Sequence, residues 1–455
     1  MKSSKNKLIA FLLVYSVLLI SCNSYLEIKP NAKLAEPASL QDLQALLDDF
    51  NRMTTTFPSA GEGSSDHYFL TDDIFDGLPN AEVQRMYLWE TTNIFPLYPA
   101  TNDWEFTYRA IYSCNYILRI LEENKDWQNK GSAFDDVKGQ ALFMRAMRYF
   151  AAAEIWTPVY KEETADTDPG LPLRLNDDFT ETSNRASVQE TYNLILDDLS
   201  QAIELLPVAQ PFKVRPNKAA ALGLMARICL SIRKYEKALD FAQQSLGIYD
   251  RLVDYNALNV SSNFPMVMDN EEVLLSTTMS SLALLTQNRA RVSPVLMDTY
   301  AEGDLRRQAF FLKNEDNTYT FKGSYFGSSS LFNGIATDEM FLISAETSCR
   351  LGDLNEARNY LNSLLKARYA EDLYSPVEEH NQENLLTVIL KEREKELLMR
   401  GLRWSDLRRL QLEGREGNIQ RLIHAETKVL ESGGLILPIP EDVLQLSGME
   451  QNVRF

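Results

Sequence analysis

The sequence predicts an all-α protein, a tetratricopeptide-like α-solenoid scaffold with irregular loops inserted into it. Three observations carry that expectation. Apolar residues recur at helical spacing along most of the chain, and proline and glycine punctuate the runs. Two segments repeat one order of small residue, tight turn and small residue, which lets paired helices approach and bury one another's faces. Two further regions, 57–101 and 285–333, lack the helical period and are rich in aromatic side chains.

The chain opens with Lys2, Lys5 and Lys7, followed by an uncharged run of 13 residues from Leu8 to Ile20. A membrane-spanning helix needs about 20 apolar residues, so residues 1–21 read as a signal peptide and not as an anchor. Ser21-Cys22 closes that run as a bacterial lipobox would, which makes Cys22 the expected lipidated first residue and 22–30 a tether. Residues 31–455 are the expected helical domain, with an N-terminal part of about 31–210 interlocked with a C-terminal part of about 211–455.

Within it, Trp104–Leu121 reads as a helix whose partner the pattern leaves open. Gln140–Phe150 and Ser187–Leu206 read as a helix pair split by a long connector containing Pro158, Pro169-Gly170 and Pro172. The first repeat places Ala226 before the turn Arg233-Lys234-Tyr235, with Ala238 and Ala242 after it. The second places Ala345 before the turn Gly352-Asp353-Leu354, with Ala357 and Leu361 after it. Glu392–Leu410 then reads as a charged helix, a glycine stop and an arginine-rich restart, a corner built around a buried ion network. In that corner Glu396 and Arg400 are expected to pair at i,i+4, Gly401 to take a left-handed exit, and Ser405 or Asp406 to cap the next helix. Pro438 and Pro440 force an extended strip near the C-terminus.

Composition narrows the function. Formal net charge is −18, and removing the leader takes away three lysines and no acid, giving −21. Such a balance repels phosphate backbones and argues against nucleic acid. Cys114, Cys229 and Cys349 are odd in number and lie in apolar helical stretches, so they read as buried free thiols. His67, His380 and His424 show no ligand spacing, and no zinc site or other cofactor is expected. The acid pairs Asp48-Asp49, Asp72-Asp73, Asp135-Asp136 and Asp197-Asp198 read as solvated faces, because paired catalytic carboxylates need a fixed gap in space that sequence neighbours do not supply.

Glu392–Leu410 resembles the late signature of the SusD/RagB family, E-R-x-x-E-L-x-x-E-G-x-R-W-x-D-L-R-R. Arg400 stands where that pattern has an acid, and Leu402 where histidine is common. Tyr25–Pro30 resembles the family's opening Y-L-D-I-x-P, and Leu435–Pro440 followed by Gln451-Asn452 resembles its closing L-x-P-I-P…Q-N. Arg145–Phe150, Gly170–Leu173 and Ser187–Tyr192 are similar to its R-A-x-x-Y-F, G-x-P-L and S-V-x-E-x-Y, while Tyr108, Ile111, Tyr112 and Asn115 resemble Y-x-x-I-x-x-x-N. The resemblance implies a non-catalytic, lipid-anchored outer-membrane protein. Facing the cell exterior, it would sit as a lid over a SusC-like TonB-dependent transporter and capture oligosaccharides for import. A peptide or glycopeptide cargo of RagB type is the nearest alternative, and a surface glycoside hydrolase a more distant one.

Sugars are held by aromatic rings under their apolar faces and by polar groups at their edges. Loops on a rigid scaffold are where such residues concentrate. The candidates are therefore Asp66, Tyr68 and Trp89 in the first irregular region and Tyr319 and Tyr325 in the second, set against the alternative that each packs on the scaffold. Trp104, Trp156 and Trp404 are expected in the core, and Trp127 partly covered.

Overall fold

The computed structural model describes residues 36–178 and 180–453. The expected leader, Cys22 and the Tyr25–Pro30 segment lie outside the described residues. Residues 43–455 form one unit, built on α1 (Asp103–Glu123), α2 (Ser132–Trp156), α3 (Val188–Leu205), α4 (Lys218–Ser231), α5 (Tyr235–Ile248), α6 (Thr337–Arg350), α7 (Leu354–Lys366), α8 (Gln382–Glu396) and α9 (Arg403–Gln411).

The helices start where the chain supplies acceptors for free amides. Asn102, Asn217, Asp353 and Asn381 cap α1, α4, α7 and α8 through their side chains. Ser187 and Glu190 close a capping box at α3. Neighbours then pack in series, α1 on α2, α2 on α3, α4 on α5, α5 on α6 and α6 on both α7 and α8. Ala226, Ala238, Ala242, Ala345 and Ala357 are fully buried, as close helix approach requires. The two repeats are thus helix pairs α4–α5 and α6–α7, and α2 is the partner of α1 that the sequence left open. The split pair is α2–α3, packed across the Pro-rich connector.

Short strands tie down the material between helices. Among the described residues they form five antiparallel two-stranded ribbons. β1 (Tyr68–Phe69) joins β5 (Arg291–Val292), β2 (Pro169–Pro172) joins β3 (Arg185–Ser187), β4 (Val273–Leu275) joins β8 (Ile335–Ala336), β6 (Phe311–Lys313) joins β7 (Tyr319–Phe321), and β9 (Ile419–Ile423) joins β10 (Glu426–Leu430). The β1–β5 pairing sews the two irregular regions together. The β9–β10 hairpin was not visible in the sequence, because its turn uses His424 and Ala425 at φ 51° and 60° where glycine or asparagine usually stands.

The corner holds the expected buried ion network with different partners. α8 stops at Glu396, and both Met399 (φ 58°) and Gly401 (φ 73°) are left-handed, so Glu396 and Arg400 do not share a helix face. Glu396 instead accepts from Arg306 Nη1 at 2.9 Å and Arg368 Nε at 2.8 Å, while Arg400 pairs with Asp338. α9 begins at Arg403, which puts Ser405 and Asp406 inside its first turn and not at the cap. The Gly401 amide is satisfied from a distance, by Glu62 Oε2 at 2.9 Å. Asp406 holds Arg393 and Arg409 at 2.9 and 2.8 Å. Paired charges of this kind bring little net stability but make loss of either partner costly.

Candidate functional site

The structure first places the five residues proposed from sequence. Asp66 receives Arg403 Nε and Nη2 at 2.7 and 2.8 Å. Burial works to raise its carboxyl, yet the Arg403 guanidinium outweighs burial and holds it down at about 2. Tyr68 and Trp89 are buried with Tyr87 around one cation, Arg421, whose guanidinium lies 5.1, 4.5 and 4.0 Å from the three ring centroids respectively. Tyr68 donates its hydroxyl to Gly63 O at 2.6 Å, and Trp89 Nε1 donates to Ser64 O at 2.9 Å. Tyr325 is buried beneath Arg400 and donates to Glu272 Oε2 at 2.5 Å. Tyr319 is half-buried on β7 opposite Lys313.

The packed-on-scaffold alternative thus describes Tyr68, Trp89 and Tyr325. Their ring faces are taken by arginines from elsewhere in the chain, a partnership that sequence spacing cannot show. None of the five lines the groove described next.

That groove runs along α1. Trp104, Tyr108 and Tyr112 recur at i, i+4 and i+8 and therefore share one helix face. The Trp104 and Tyr108 rings stack at 4.8 Å with planes 29° apart, and Tyr112 stands 45% exposed beyond them. Two hollows of about 530 and 580 Å³ meet on this stripe and share its three rings, with Val443 and Leu446 opposite. Tyr98, 84% exposed, extends the second hollow. Trp104 is core, as expected, yet its edge also lines the groove.

Each wall is fixed by identifiable bonds. Asp103, at the start of α1, accepts from the amides of Ser59 and Ala60 at 2.8 and 2.9 Å and from Ser280 Oγ at 2.6 Å, which locks the helix against the first irregular region and against the segment just before the second. Asn102 Nδ2 donates to Pro96 O at 2.9 Å, and the Tyr98 amide donates to Asp442 Oδ2 at 3.1 Å, joining the Tyr98 segment to α1 and to the C-terminal helix Glu441–Ser447. The opposite lip, residues 174–178 and 180–183, hangs on buried Asn115. Its Nδ2 donates to Arg174 O and Asn176 O at 2.8 and 3.0 Å. Its Oδ1 accepts from Arg145, which makes a two-point pair with Asp198. Tyr108 itself donates to Pro172 O at 3.0 Å.

Chemically the groove offers flat apolar rings with a polar lip, an arrangement for binding. One member of each acid pair named from sequence is engaged by other groups: Asp48 by Arg215, Asp72 by the His424 amide, Asp136 by Gln140 and Gln210, Asp198 by Arg145. Sequence reasoning named Tyr112 only within the Trp104–Leu121 helix pattern and not among the ligand candidates. The signal that marks it is the third ring, one turn past buried Trp104 and half-buried Tyr108.

Comparison with known proteins fits this geometry. Residues 24–230 match a SusD-like family described as starch-binding and associating with the outer membrane, and residues 337–453 match the SusD family. The chain belongs to the SusD/RagB family. A SusD-like protein of Formosa agariphila is 26% identical over 255 residues, 52% of this chain and 45% of that relative, so the match spans less than half the relative's length. A SusD superfamily protein from Bacteroides thetaiotaomicron superposes with a TM-score of 0.73 at 20% identity, over 91% of this chain and 100% of that one. One from Bacteroides vulgatus gives 0.72 at 21%, over 91% and 98%. A laminarin-binding SusD-like protein gives 0.66 at 20%, again over 91% and 98%. At these identities the likeness establishes the shared fold. No helix among the described residues of this SusD-family chain is long and apolar enough to cross a membrane.

Proposed function

We propose that this SusD-family chain captures oligosaccharides at the cell surface and passes them, chemically unchanged, to a SusC-like TonB-dependent outer-membrane transporter. The observation that carries the reading is the Trp104–Tyr108–Tyr112 stripe with its polar lip. Four residues of α-helix advance about 6 Å, and Tyr112 stands one turn beyond the Trp104–Tyr108 stack. Sugar faces would lie on Tyr112 and Tyr98 and against the exposed edges of Trp104 and Tyr108. Hydroxyls would meet the lip at Asn176, Asp178 and Thr180. Family membership supports the transporter partner and the outer-membrane site. Lipidation at Cys22 would hold the protein to the surface without crossing it. The helical array would supply the broad face that docks to the barrel. No cofactor enters this scheme.

Calorimetric titration against oligosaccharides and peptides, with product analysis afterwards, tests it. Saturable glycan binding without turnover, weakened about tenfold or more by Tyr112→Ala with thermal stability unchanged, is the expected result. Binding of peptides alone would replace the cargo, and cleaved product would overturn the non-enzymatic role.

A further inference from the structure

Resting on that reading, we infer that the groove selects neutral glycans and rejects sulfated or uronic ones. Among the described residues three cations line the two hollows, and each already has acceptors. Arg174 is spent on the lip itself, donating to Glu181 O at 2.6 Å, to Ser183 Oγ at 3.1 Å and to Asp178 O. Arg52 Nη1 donates to Ser113 Oγ at 3.1 Å, with Asp49 3.7 Å from its Nε. Arg109 is the most open, but Glu105 lies 3.3 Å away, one turn back on the same helix, so any anion reaching Arg109 meets a carboxylate too.

Four carboxylates line the same space, Glu105, Asp178, Glu181 and Asp442, one more than the cations. Carboxylates accept hydrogen bonds and donate none. Sugar hydroxyls can donate to them in charge-assisted bonds. A sulfate ester or a uronate brings acceptors and negative charge, so it has nothing to receive from these groups and is repelled by them. The net negative charge of the chain adds repulsion of the same sign at longer range. The ligand class is therefore a neutral oligosaccharide with free hydroxyls at its edge.

The test uses the mature protein and a panel of neutral glucans, mannans, xylans and galactans, each paired with its chemically sulfated derivative. The derivative of whichever neutral glycan binds should bind at least tenfold more weakly at low ionic strength. Salt should narrow the gap, because screening weakens the repulsion. A sulfated form that binds as well or better, through a site lost in Tyr112→Ala, would overturn the charge inference and leave the groove as the glycan site. Binding by neither form, or binding indifferent to Tyr112→Ala, would remove the groove reading and this inference with it.

Discussion

Asp66→Asn separates a ligand residue from a structural one. Asp66 sits in the first irregular region, where a sugar-binding acid was expected, yet both its oxygens are given to Arg403, which is only 6% exposed. The carboxyl is held at about 2, against 3.8 for an ordinary aspartate. A tenfold change in proton affinity corresponds to about 1.4 kcal/mol, so the folded protein gains about 2 kcal/mol at neutral pH that the uncharged amide of the variant cannot supply. Arg403 keeps Glu416 at 2.9 Å and Glu394 at 3.7 Å, which holds the loss below the roughly 3–5 kcal/mol typical of a buried charge left alone. For a unit of roughly 400 residues this is a fall of about 2–3 °C in Tm. Urea denaturation should show the lower midpoint with unchanged slope. Because the folded pKa is depressed, the stabilisation is present above about pH 4 and is lost as pH falls towards 2, so wild type and variant should converge there. Glycan affinity should not change. A drop in affinity at unchanged stability would return Asp66 to the ligand and refute the structural assignment.

Three further outcomes follow from the same physics. Burial raises Glu272 to about 7, and Asp338 and Glu396 push the same way against Arg368. The folded state therefore holds a proton that the unfolded chain has shed above pH 4.5, stability falls as pH rises from about 4.5 to 7, and Glu272→Gln should flatten that slope in pH-dependent denaturation. Arg421→Ala empties the three-ring cage and takes the Arg421 donors from the carbonyls of Ser65 and Tyr87, while Gly63 O keeps the Tyr68 hydroxyl. It should cost about 3 kcal/mol or more in urea denaturation. At Gly170 an added Cβ would fall 2.2 Å from Ser187 O, so Gly170→Ala should cost about 2 kcal/mol by the same measurement and loosen the β2–β3 ribbon.

The local and periodic features were legible in the linear chain. Helical spacing and the small-residue order at Ala226–Ala242 and Ala345–Leu361 act within one or two turns, so a linear string displays them; the cap expected at Ser405 or Asp406 was misplaced because the helix begins at Arg403. The four core or half-core tryptophans, the buried free cysteines and the existence of an ion network at Glu392–Leu410 were legible for the same reason. The partners within that network were not. Glu396 meets Arg306 and Arg368, and Arg400 meets Asp338, because two left-handed residues turn the chain at this corner, and only packing decides which distant charges fill a dry site. The same holds for ligand contact. Tyr68, Trp89 and Tyr325 looked available as loop aromatics, and the fold closed each of them against an arginine remote in sequence. Tyr112, named only as part of a helix pattern, faces outward into the groove. Exposure belongs to the assembled surface: it depends on what other segments cover, and that is settled only when β1 pairs β5, Arg421 enters its cage and the C-terminal helix comes to rest beside α1.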